Sequence, residues 1–236
     1  ALHYLYIVAM DGTCVKLKAP ALNDMDYLLG KLKKMTRSLT IYGKAKAAVI
    51  LALNYDYKTA ADYLKSMEEY SVYREDMGRY YDTRKAYYSW RNYKIPTEVA
   101  AIEALQALDA QSIAAISSAS FAISKQQTIE EMQHWLLMSK RTQVWDTPVN
   151  TVDAVYAFMK GNEGNWNRKA ENAVLKLDGK LLPMPQDSTT LGYVKTEKTG
   201  KASVLSIDKK SDYTSWGAVY AEFKQPISEI GSMESG

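Results

Sequence analysis

Residues 41–54 read IYGKAKAAVILALN and residues 58–70 read KTAADYLKSMEEY. Both stretches place apolar residues at helical spacing, but the first is apolar on nearly every face and the second keeps a charged side. A helix without a polar face must be covered all round; an amphipathic one needs cover on one side only. The same contrast recurs along the chain. Segments 97–108 and 149–159 read as inner helices, whereas 24–37 and 128–140 read as outer ones. A chain that keeps switching between inner and outer helices builds two layers, closed as an α/α toroid or open as a solenoid of helix pairs.

End signals support about eight helical segments ahead of residue 164. Asn23 stands before the 24–37 run, and Thr128 with Glu131 three residues on forms a capping-box pattern. Pro96 and Pro148 stand where an opening turn loses nothing by lacking an N–H. Helix starts near 24, 41 and 58 give a two-helix unit of about 34 residues, the period of tetratricopeptide arrays. The period fails over 74–95, where Tyr80 and Tyr81, then Tyr87, Tyr88 and Trp90, flank a polar stretch from Asp82 to Lys85. That pattern predicts an aromatic hairpin insertion between helices, turning at 82–85.

Composition changes near residue 164. Fourteen of the 18 tyrosines precede Lys94, while eight of the 12 glycines lie at or after Gly161, as expected for a helical body followed by a turn-rich β segment. The expected domains are therefore a helical one over 1–164 and a β-rich one over 165–236. In the second, 173–177 ends in Asp178-Gly179, a hairpin signal, and 202–207 and 216–223 also read as strands. Four or five short strands must pack on helices or borrow strands from elsewhere.

The 236 residues, 47% hydrophobic and 24% charged, fit one or two globular domains. A net charge of +3 is too balanced for a nucleic-acid footprint. No apolar run is long enough for a membrane span and no leader opens the chain, so direct membrane insertion is not expected. One cysteine and two distant histidines, His3 and His134, give no disulfide and no metal-ligand spacing, so no metal or cofactor is expected. The start at Ala1, inside an apolar helical run, reads as the beginning of a cut piece.

Three ordered segments carry a family likeness. Gly78–Asp82 with Tyr87–Leu105, then 135–158, and finally Ser215-Trp-Gly-Ala-Val-Tyr-Ala resemble the late part of the thioester-type toroid domain of bacterial alpha-2-macroglobulins and the β segment that follows it. The resemblance implies a partial α/α toroid, with earlier helices upstream of Ala1, followed by part of a small antiparallel β domain. It implies an extracytoplasmic protease trap in which proteases meet the full-length parent and this module contacts other domains of the same chain. Covalent members close a thioester within Gly-Cys-Xaa-Glu-Gln. Here Cys14 is followed by Val15, Lys16 and Leu17, so that bond cannot form.

No catalytic residue is expected. His134 has no second ligand-type residue at useful spacing and reads as a boundary histidine. The aromatic hairpin residues Tyr80, Tyr81, Tyr87, Tyr88 and Trp90 are candidates for a partner or interdomain surface, weighed against simple packing. Glu98, Glu103 and Asp153 stand on otherwise apolar helices, the pattern of an acid/base pair at the mouth of a toroidal carbohydrate hydrolase. That hydrolase and a helical-repeat binding scaffold are the alternatives to the trap module.

Overall fold

The computed structural model describes residues 1–11, 19–81, 93–108, 125–142, 145, 147–160, 173–183, 196–210, 217, 219, 220, 222, 224 and 226. The chain is mainly helical with small antiparallel sheets, and it separates into two compact units, Ala1–Trp166 and Asn167–Gly236.

The first unit holds seven helices among the described residues: α1 (Leu2–Met10), α2 (Ala19–Leu32), α3 (Ile41–Leu53), α4 (Tyr57–Glu68), α5 (Lys94–Ala107), α6 (Lys125–Thr142) and α7 (Pro148–Met159). A hairpin of β1 (Ser71–Arg74) and β2 (Gly78–Tyr81) lies between α4 and α5 in the chain. Helix α3 packs beside α5, with α1 against α3 and α7 against α5, so these four form a row. On the other side α4 covers α3, while α6 packs on α5 and on β2. This arrangement explains the sequence contrast: α3 buries nearly all its residues because neighbours meet it from several sides, and α4 buries one face, with Ala60, Tyr63, Leu64 and Met67 inward.

Local chemistry fixes several ends. The Thr40 hydroxyl accepts the Gly43 N–H at 3.1 Å and opens α3. Asp56 does the same for Thr59 ahead of α4 and also pairs with Lys33 at 2.8 Å. Thr147 caps α7 through the Asn150 N–H, with Pro148 in its first turn. Because α3 is the best-covered helix, replacing Thr40 with alanine is expected to lower stability by about 1 kcal/mol. A urea midpoint that falls with an unchanged slope is the check.

Three expectations about helices need correction. Helix α2 begins at Ala19 and ends at Leu32, not 24–37; the Tyr63 hydroxyl donates to the Leu32 carbonyl and satisfies the end of the helix there. Thr128 caps nothing, because α6 starts at Lys125, whose ammonium reaches the Leu108 carbonyl, and Glu131 turns instead to Gln127 and Arg79. Helix α7 is only partly an inner helix. It buries Asn150, Ala154 and Ala157, while Val149, Val152, Val155 and Met159 are exposed, the first two by about two thirds (66% and 67%).

The described hairpin lies earlier than the one expected: it turns at Glu75-Asp76-Met77, with Arg74 opposite Gly78, while the expected turn at 82–85 lies outside the described residues. The Met77 N–H returns to the Arg74 carbonyl, the Arg74 guanidinium grips both Asp76 oxygens at 3.0 and 2.9 Å, and Gly78 takes φ +86°. A three-residue loop closed by a left-handed glycine is a standard hairpin solution. Gly78 was the signal for it, overlooked beside the polar 82–85 run.

In the second unit β3 (Val174–Leu177) lies between β4 (Lys180–Leu181) and β5 (Leu205–Asp208), all antiparallel. Asp178 and Gly179 both adopt positive φ, the requirement of the tightest hairpin turn. The Asp178 carboxylate accepts the Ser203 and Val204 N–H groups and so anchors the approach to β5. Leu175 lies opposite Ile207 and Leu177 opposite Leu205, an apolar face on which no residue is buried. The expected strand over 216–223 is not seen at its described residues, 217, 219, 220 and 222, which carry no strand pairing.

Candidate functional site

The polar side chains on the row converge on Glu103. This residue projects from the middle of α5 with its side chain only 2% exposed. Its Oε2 accepts Lys46 of α3 at 2.9 Å; its Oε1 accepts the Tyr6 hydroxyl of α1 at 2.6 Å, Lys160 at 3.2 Å and, at 3.5 Å, the Tyr156 hydroxyl of α7. All four helices of the row therefore meet at one carboxylate. Lys46 also stands over the Tyr6 ring at 3.8 Å, which keeps its ammonium close to a negative π face as well as to the acid.

Burial pushes the Glu103 carboxyl up, but Lys46, the Tyr6 hydroxyl and Lys160 outweigh it and hold it below the usual carboxylate range. The same contacts act on the partners. Burial and the bond to Glu103 push the Tyr6 hydroxyl far above an ordinary phenol. Burial lowers Lys160, yet Tyr156 and Glu103 raise it overall. Asp153 shares this face: burial raises its carboxyl, Lys46 opposes and Glu103 adds to the rise. Tyr42, pushed up to about 12 by burial and by Asp153, links outward to Tyr93 and His3 through ring contacts at 5.8 and 6.1 Å.

Of the three acids singled out in the sequence, the structure thus brings Glu103 and Asp153 into one cluster and puts Glu98 elsewhere. Glu98 faces β2 and accepts the Tyr81 backbone N–H, with its other oxygen unpartnered. Lys46, Lys160 and Tyr6 were missed. The available signal was Lys46 itself, one of two charges in an otherwise apolar helix; the other, Lys44, turns to the opposite side and donates to Ser66 at 2.6 Å.

The arrangement at Glu103 is that of a hub. Both oxygens are engaged by cations or hydroxyls and the group is shut from solvent, which leaves it without an approach for a substrate proton. Among the described residues no three His, Cys, Asp or Glu side chains come together in a way that could hold a metal ion.

Two residues of the expected aromatic surface are described. Tyr81 is 6% exposed and belongs to the core of the first unit. Tyr80 is half-buried and stacks on Trp135 of α6 at 5.9 Å with the planes 14° apart. Arg79, just before them on β2, pairs with Glu131 at 2.8 Å and reaches Ser71 at 3.1 Å. These contacts make the hairpin a packed element, pinned to α6 by consecutive residues of β2. Tyr87, Tyr88 and Trp90 lie outside the described residues, as does Cys14. His134 is half-buried on α6.

Comparison with family models, with curated proteins and with solved structures finds no match to this chain. No helix among the described residues is long and apolar enough to cross a membrane.

Proposed function

We propose that the chain is a non-catalytic module of a bacterial alpha-2-macroglobulin-like protease trap, working outside the cytoplasm. In this reading the row α1, α3, α5 and α7 is an arc of the inner ring of an α/α toroid, and residues 167–236 belong to the adjoining β domain. The observation that supports it is the pair of incomplete edges on a two-layered row. Tyr4, Ile7 and Met10 are exposed on α1, and Val149, Val152, Val155 and Met159 on α7, at the spacing of helix faces that pack on further helices. A closed ring covers both edges. The likeness of three ordered sequence segments to the late toroid of that family supplies the rest.

The module's work is mechanical: it holds interfaces that shift when a bait elsewhere in the parent is cut, and proteases are partners of the parent. The test uses the bait-bearing protein that contains this module, mixed with a broad-specificity protease. Hydrolysis of a small chromogenic peptide is expected to persist while that of a large protein substrate is suppressed. Unchanged turnover of both overturns the reading, and sugar release from a polysaccharide panel turns it toward the toroidal hydrolase.

A further inference from the structure

The hairpin sits on an acid that the packing leaves almost without partners. Glu98, on α5, is 1% exposed. One carboxyl oxygen takes the Tyr81 N–H at the end of β2, and the other has no hydrogen-bond partner. Among the described residues no cation is paired with it. Arg79 on β2, whose charge acts on it, is committed to Glu131 of α6 and to Ser71 of β1. The other titratable groups that face this place among the described residues are the buried Tyr81 phenol on β2 and, from α4, Glu68, whose charge acts on Tyr81. Tyr81 is a neutral acid and Glu68 a negative charge, so neither favours a second negative charge here.

An ionised carboxylate in that position would be desolvated, singly bonded and close to other acids, whereas an uncharged carboxyl costs far less to bury. We propose that Glu98 is a proton-dependent latch of the hairpin: uncharged, it lets β2 close on α5 through the Tyr81 amide, and ionised, it drives that contact open. The sign follows from proton linkage. The closed state holds a proton that the open state releases above the ordinary carboxylate range, so raising the pH favours opening. Burial acting on the carboxyl, only partly offset by the Tyr81 N–H and Arg79, moves its titration well above that range.

The device is local. Glu98 holds the end of the hairpin where the chain leaves β2, while Arg79 and Tyr80 hold its body to α6. Opening at Tyr81 therefore does not require the α3–α5 core to come apart. It is independent of the trap reading, since it concerns how one strand closes on one helix.

Amide hydrogen exchange tests it, with each rate divided by the intrinsic rate at the same pH. Between about pH 5 and about pH 9 the protection of the Tyr81 amide is expected to fall by about tenfold or more and to stay well below that of α3 amides. In Glu98→Gln, which keeps the shape and removes the charge, the Tyr81 profile is expected to be flat. A flat wild-type profile, an equal fall in the variant, or a Tyr81 protection equal to that of α3 overturns the latch. Carbon-13 titration of the wild-type Glu98 carboxyl decides the matter if the variant does not fold. A midpoint above those of the exposed glutamates is expected, and one among them overturns the proposal.

Discussion

Replacing Gly78 with alanine is expected to destabilise the first unit by about 3 kcal/mol, from about 1–2 for the left-handed backbone and the rest for a steric clash. Gly78 closes the hairpin turn at φ +86°. A Cβ there would lie 2.3 Å from the Glu131 carbonyl oxygen and 3.0 Å from the Trp135 nitrogen, both backbone atoms of α6. Helix backbone cannot step aside as a side-chain tip can. The strand must lift instead, and it takes with it the Tyr80–Trp135 stack and the Arg79–Glu131 pair. Gly179→Ala is the control: φ is +77° but nothing lies within 4 Å of the added atom, so only the conformational cost of about 1 kcal/mol is expected. Urea unfolding followed separately for the two units measures both. A Gly78→Ala effect no larger than that of the control would show that the hairpin does not approach α6 as described.

Replacing Glu103 with alanine is expected to cost about 3–5 kcal/mol at neutral pH, the range for removing one partner of a buried ion pair. The loss comes chiefly from what stays behind. Lys46 and Lys160, with side chains only 13% and 20% exposed, would keep their charges without the acid that both contact. Glu103→Gln retains the shape but offers one acceptor and a donor that faces ammonium groups, so most of the loss should remain.

The pH dependence has a definite sign. Glu103 titrates below its unfolded value in the folded state, so its contribution is fully present above the ordinary carboxylate range and is lost as the pH falls through its depressed midpoint. The wild type should therefore lose stability on the acid side, and the Glu103 variants should lose less there. Glu98 acts in the opposite direction, since its raised titration removes stability as the pH rises. The two variants should flatten opposite limbs of the stability profile, as chemical denaturation across pH would show.

Much of the helical body was legible because its cause is local in sequence. An apolar pattern on every face marks α3 and α5, a charged side marks α4, and Thr147-Pro148 marks the start of α7. What could not be read depends on distant partners. Glu103 takes its two lysines from 57 residues before and 57 residues after it, and its tyrosine from 97 residues before, so no window of sequence contains the cluster. The Thr128 signal failed because α6 already begins at Lys125, one turn earlier. The apolar face of α7 was misread for a different reason: hydrophobic composition states what a helix needs covered and says nothing of whether a neighbour is there to cover it. Tyr81 and Glu98 both stand out in the sequence, but as a surface candidate and as one of three acids on apolar helices; only the packing of β2 on α5 makes them partners.

A double-mutant cycle between Lys46→Met and Glu103→Gln, measured by urea unfolding at neutral pH, asks directly whether the polar face of the row is a strut. A coupling of about 2 kcal/mol or more is predicted, because each group is desolvated against the other. A coupling below about 0.5 kcal/mol, the level of independent surface charges, would contradict it and return Glu103 to the list of acids available for chemistry.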